Sequence, residues 1–115
     1  MNPSQRNALQ NFVDAIRGHY GSRLLDVVVF GSRARKDHRE DSDLDLAVVL
    51  ADADFDFWTE KLTLIEMSHD AFFDGDLMIQ AWPIAHASWL NPALHSNPRF
   101  VREVRRDAKP VGEAA

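Results

Sequence analysis

The sequence has 115 residues, 45% of them hydrophobic and 27% charged, a balance that suits one globular domain with one core. Eighteen acidic against thirteen basic residues give a net charge of −5, which argues against a nucleic-acid binder, whose phosphate contacts need the opposite sign. The absence of cysteine excludes disulfides and thiolate metal sites. No run of about 18 apolar residues is present to span a membrane, and MNPSQRNALQNFVDAI has no signal-peptide pattern, so a cytoplasmic protein is expected.

In chain order, the first predicted element is a helix from Pro3 to His19, with Leu9, Phe12, Val13, Ile16 and Tyr20 at helical spacing and Gly21 as its stop. Arg23 to Phe30 (RLLDVVVF) reads as a buried strand ending at Gly31, and Ser32 to Lys36 as a short helical turn. Leu44 to Leu50 (LDLAVVL) is a second strand. The alternation Asp52, Asp54, Phe55, Asp56, Phe57 reads as a loop leading into a helix over Phe57 to Phe73. That helix carries Trp58, Leu62, Ile65, His69 and Phe72 on one stripe and stops at Gly75. Asp76 to Trp82 (DLMIQAW) is a third strand, closed by Pro83. Pro92 and Pro98 break the stretch from Ile84 to Asn97, and a last helix is expected over Arg99 to Asp107. No repeat or linker divides residues 1–115. The expected fold is a single α/β (α+β) domain, a small mixed sheet with helices packed on it.

Two short stretches can carry chemistry. A glycine at a strand end lets the backbone approach a ligand closely, and Ser32, opening a helical turn, could meet a phosphate with its amide and hydroxyl. Arg33, Arg35, Lys36 and Arg39 supply local positive charge. The same Gly-Ser pair also serves simply as a turn and a helix cap. At the head of the second strand, side-chain alternation puts Asp43 and Asp45 on one face and Leu44 and Leu46 on the other. Neighbouring carboxylates repel, and a fold tolerates them most readily around a cation; hard oxygen donors suit Mg²⁺. Solvated charges at a strand end are the simpler alternative. Asp41, Asp43 and Asp45 also alternate as in a calcium loop, but Leu46 stands where that loop needs glycine and no glutamate closes it.

The combination is more specific than its parts. Gly31-Ser32 precedes Asp43-x-Asp45 by ten residues, a spacing that lets two adjacent strands set a phosphate cradle beside a metal site. With this motif, the stretch VVVFGSRARKDHREDSDLDLAVVL resembles the minimal nucleotidyltransferase (MNT) family of the polymerase-β-like superfamily. The resemblance implies a nucleotidyltransferase fold and in-line attack on the α-phosphorus of a nucleoside triphosphate, ATP, with release of pyrophosphate. It implies two Mg²⁺ ions held by Asp43, Asp45 and a third carboxylate on a later strand. Asp76, which directly precedes the apolar run, is the best match for that third place, with Asp74 the less favoured substitute; either could instead be a solvated turn residue. Gly31 and Ser32, with Arg33 and Arg35, would hold the phosphates. One departure stands out: many members follow the Arg with glycine, whereas Lys36 follows Arg35 here.

Larger relatives carry a second, helical domain, so a minimal domain is expected to complete its site with a partner. The resemblance implies an antitoxin that transfers AMP to a tyrosine hydroxyl of a HEPN-family ribonuclease toxin, in a hetero-oligomer. The alternatives are an antitoxin that blocks its toxin by binding alone and a small-molecule transferase of the aminoglycoside kind. Trp82, Ile84, Trp89, Leu90, Leu94 and Phe100 are candidates for the partner surface, at least half of them expected in the core, with Trp89 foremost. His19, His38, His69, His86 and His95 have no metal-ligand spacing; only His38, between the two motifs, lies where it could touch phosphate.

Overall fold

The computed structural model describes residues 1–37, 39 and 42–114. His38 and Asp41 lie outside the described residues. The first helix, α1, runs over Pro3–Tyr20. Its N-terminus is closed by a capping box in which Asn2 accepts from the Gln5 amide at 2.8 Å and Gln5 reaches back to Asn2. After one 3₁₀ turn the chain enters β1, Leu24–Phe30, then the one-and-a-half-turn α2, Gly31–Arg35, then β2, Leu44–Leu50. The crossover helix α3 spans Phe57–Gly75 and leads to β3, Ile79–Ala85. Short α4 (His86–Leu90), α5 (Pro98–Asp107), the two-residue β4 (Lys109–Pro110) and α6 (Val111–Ala114) complete the chain.

The sheet order is β3-β2-β1-β4, with β2 antiparallel to β1 and parallel to β3. A parallel neighbour requires a crossover, and α3 supplies it. Both faces of the sheet are covered, which is why β1 and β2 read as almost continuous apolar runs. Leu44, Leu46, Val48 and Leu50 face a core shared with Leu9, Phe12 and Ile16 of α1 and Leu64 of α3. Ala47 faces a smaller core with Val28, Phe30, Ile84 and Val104, against which Trp82, Trp89 and Phe100 are half-buried.

Three expectations are corrected. The third strand begins at Ile79 rather than Asp76, because α3 continues to Gly75 and Asp76 turns the chain in the left-handed region at φ 52°. Pro83 does not close β3 but sits inside it opposite Val48, tolerated because β3 is the sheet's edge strand. The stripe on α3 has the expected period, but the buried one is offset by one residue. Trp58, Leu62, Ile65 and Phe72 are exposed, Trp58 to 65%, while Lys61, Leu64, Ala71 and Gly75 face inward.

The inward phase follows from how closely α1 and α3 approach. A Cβ on Gly75 would lie 2.6 Å from the Ala8 Cβ and 2.9 Å from the Ser4 carbonyl oxygen, so small residues are required there. Gly75→Ala is therefore expected to cost about 1–3 kcal/mol through overpacking. Thermal melts of Gly75→Ala and of Gly75→Ala/Ala8→Gly should show partial recovery in the double variant.

Candidate active site at the head of β2

Register brings the two motifs together. Phe30, the last residue of β1, pairs with Asp45 on β2, so Gly31 leaves the sheet directly beside the acidic pair. Gly31 has φ 73°, in the left-handed region, and a Cβ on it would stand 2.6 Å from Asp45 Oδ2. Only glycine satisfies both the backbone and the space. Ser32 follows, partly exposed, its carbonyl accepting from the Asp37 amide at 3.1 Å.

Asp43 is exposed and Asp45 half-buried. Burial pushes the Asp45 carboxyl above the usual carboxylate range, and Asp43 beside it pushes the same way. Lys61, a hydrogen bond from the Trp82 indole and Arg35 pull it back without cancelling the rise. Two neighbouring carboxylates so placed could hold a hard divalent cation.

The basic residues divide by role. Arg33 is buried, and its Nε and Nη2 donate to the Ser42 carbonyl at 3.1 and 2.7 Å. It thus fixes the residue before Asp43. Arg35 is more exposed; its Nη1 donates to Asp107 at 2.7 Å and its Nε to Asp37 at 3.1 Å. Burial raises the Asp107 carboxyl, but Arg106 and Arg35 outweigh it and hold the group below its usual range. The last turn of α5 is thereby tied to the Gly-Ser turn. Lys36, the departure from the family pattern, caps α2 at φ 65°, a conformation that glycine takes without strain.

Asp76 is not brought to the pair. It is exposed at the end of α3, where its carbonyl accepts from Gln5 Nε2 at 3.5 Å, and the residue that β3 sets opposite Asp45 is Gln80. Among the described residues no group of three or more His, Cys, Asp or Glu side chains is placed to hold a metal ion. Asp74, also exposed, lies earlier on α3.

Lys61 is the main residue that sequence reasoning missed. It is 5% exposed, its Nζ donates to the Ala81 carbonyl at 2.6 Å and stands 3.8 Å from the centre of the Trp82 ring. Burial lowers its pKa, and the field of Asp45 opposes that. A lysine on an amphipathic helix ordinarily reads as solvent-facing, so nothing local signals this placement. Lys61→Ala should lower stability by about 2–3 kcal/mol, through the unpaired Ala81 carbonyl and the lost cation–π contact. Urea unfolding at neutral pH measures it.

The polymerase beta nucleotidyltransferase domain matches residues 19–85, more than half of the sequence. The chain belongs to that family. A protein of Methanocaldococcus jannaschii named as a protein adenylyltransferase is 33% identical to this nucleotidyltransferase-family chain over 66 residues. That match covers 57% of this chain and 65% of the relative, just under two thirds of its length. The cyclic dinucleotide synthase CdnE of Elizabethkingia meningoseptica, solved with GTP and Apcpp, shares the fold. Its TM-score is 0.55 at 20% identity, over 73% of this chain and 38% of that one. A structure described as a minimal nucleotidyltransferase is 27% identical, covers 92% of this chain and 95% of its own, and has a TM-score of 0.49. The matched span of this nucleotidyltransferase-family chain holds β1, the Gly-Ser turn, the acidic pair, α3 and β3, and so the whole candidate site.

Proposed function

We propose that this chain is a Mg²⁺-dependent protein adenylyltransferase that moves AMP from ATP to a hydroxyl of a partner protein. The observation that supports the reading is the close approach of Gly31 to Asp45, which would set a backbone phosphate cradle beside a carboxylate pair. The relative named as a protein adenylyltransferase supports the choice of acceptor class.

In this mechanism Gly31 and Ser32 would hold the β- and γ-phosphates, and Asp43 and Asp45 would hold the cation. A dication there would supply positive charge to the phosphate oxygens as charge shifts to the leaving group. The acceptor oxygen forms a bond to the α-phosphorus, the bond from that phosphorus to the α,β-bridging oxygen breaks, pyrophosphate leaves and the hydroxyl proton is lost to solvent. Arg33 positions Asp43 through Ser42, and Arg35 joins the cradle to α5. Catalysis is then positioning plus charge stabilisation.

The motif's resemblance assigns the acceptor to a tyrosine of a HEPN-family toxin, with this chain as its antitoxin in the cytoplasm. No helix among the described residues is long and apolar enough to cross a membrane. Of the residues expected at the partner surface, Ile84 is buried, Trp82, Trp89 and Phe100 are half-buried, and Leu90 and Leu94 are exposed. The larger exposed apolar surface is on α3, with Trp58, Leu62, Phe72 and Phe73. That surface favours the second reading, an antitoxin acting by contact alone.

One experiment separates them. The product of an adjacent toxin gene is incubated with this protein, Mg²⁺ and each nucleoside triphosphate, and its intact mass is measured. A gain of one or more AMP masses with wild type but not with Asp43→Asn/Asp45→Asn is expected. No gain, with a tight complex forming, would replace transfer by steric inhibition.

A further inference from the structure

β2 and β3 run parallel with Leu44 opposite Ile79, Asp45 opposite Gln80, Leu46 opposite Ala81 and Ala47 opposite Trp82. Paired residues of parallel strands share a face. Leu44, Leu46, Ile79 and Ala81 point to the core under α1 and α3, so Asp45 and Gln80 point together to the other side, the side of Asp43. The sheet therefore offers one position from which a further side chain could join the acidic pair, and a neutral amide occupies it. Asp76 precedes the strand by three residues, exposed and outside the ladder.

Charge on the other flank points the same way. The Lys61 ammonium is fixed beside β3 by the Ala81 carbonyl at 2.6 Å and the Trp82 ring at 3.8 Å, and Trp82 pairs with Ala47, two residues beyond Asp45 on β2. Two dications about 3.5–4 Å apart need carboxylates to offset their mutual repulsion. Among the described residues this part of the sheet offers two carboxylates, Asp43 and Asp45, the position opposite Asp45 contributes no charge, and a fixed cation stands beside β3. The donor set among the described residues fits one ion and falls short of two.

We propose that this site holds a single divalent cation on Asp43 and Asp45, and that Gln80 stands where a carboxylate would capture a second ion. The inference rests on the nucleotidyl-transfer reading and sharpens it. The chain would accept the one ion that arrives with the triphosphate, and Asp76 would play no part in holding metal.

Mn²⁺ serves as the probe. Free Mn²⁺ is followed by electron paramagnetic resonance during titration of the intact chain with a saturating α,β-non-hydrolysable ATP analogue, corrected for the ion bound by the analogue alone. The expected count is one tightly held ion per chain–nucleotide complex in wild type and in Asp76→Asn, and two in Gln80→Asp. Gln80→Glu provides a second reach should the shorter side chain fold poorly. Two ions in wild type would overturn the proposal, as would a loss of the ion in Asp76→Asn or a count that stays at one in folded Gln80→Asp and Gln80→Glu. Failure to bind either nucleotide or Mn²⁺ would remove the nucleotidyl-transfer reading along with it, and so differs from failure of the single-ion proposal alone.

Discussion

Asp45→Asn should abolish transfer while making the metal-free protein more stable. Loss of one of the two carboxylates proposed to hold the cation is expected to reduce the rate by at least about 10³-fold, since stabilising the charge that develops on the phosphates is the main source of acceleration in this chemistry. The stability effect has the opposite sign. In the unfolded chain Asp45 ionises around its ordinary value of 3.8, whereas burial and Asp43 raise that value in the fold. As pH climbs from the unfolded to the folded pKa, the folded state keeps a proton that the unfolded state has released, so stability falls; above the folded pKa the full penalty remains. Asparagine removes it. In chelator at neutral pH the variant should be more stable by on the order of 1 kcal/mol, a few degrees in Tm for a domain of this size. The gain should vanish below about pH 4, where Asp45 is protonated in both states. Melts across that pH range, with an AMP-transfer assay, test both halves.

Gly31→Ala should inactivate by geometry rather than charge. The added methyl group must take a left-handed backbone at φ 73° and would meet Asp45 Oδ2 at 2.6 Å. Either the turn or the carboxylate has to move. The backbone strain alone is worth about 1–2 kcal/mol. A displacement of about 1 Å at a reacting centre costs on the order of 10²-fold in rate. The expected result is a loss of transfer of at least that size together with a lower Tm, in contrast to the raised Tm of Asp45→Asn. Wild-type transfer by Gly31→Ala would dissociate the Gly-Ser turn from phosphate binding.

Features that depend on neighbours along the chain are legible in the sequence. β2 is readable to the residue, because its apolar run begins at Leu44 and ends at Leu50. The Gly-Ser turn and the acidic pair are visible because their spacing reflects one antiparallel pairing, Phe30 with Asp45. The phase of α3 is not visible. Two stripes one residue apart have the same period, and the fold buries the one with Ala71 and Gly75, which lets α1 come close; large apolar residues are left outside. The place beside Asp45 is hidden for a related reason. It depends on where a crossover helix stops, and two further residues of α3 together with the turn at Asp76 move the start of β3 from Asp76 to Ile79. Lys61, Trp82 and Asp107 carry no local signal, since their roles arise from contacts between elements distant in the chain.

The outer rim of the sheet has a consequence of its own. An edge strand normally offers a row of backbone donors and acceptors that can template a foreign strand. On β3 that row is interrupted twice in three residues: Lys61 occupies the Ala81 carbonyl, and Pro83 has no N–H to give. A second polypeptide therefore cannot lengthen this sheet by continuing its ladder past residues 81–83. Any protein that meets this flank must do so by side-chain contact, and the helix beside it, with Trp58, Leu62 and Phe72 turned outward, is furnished for that kind of encounter. The lysine beneath Trp82 thus also blunts this edge of the sheet against strand addition.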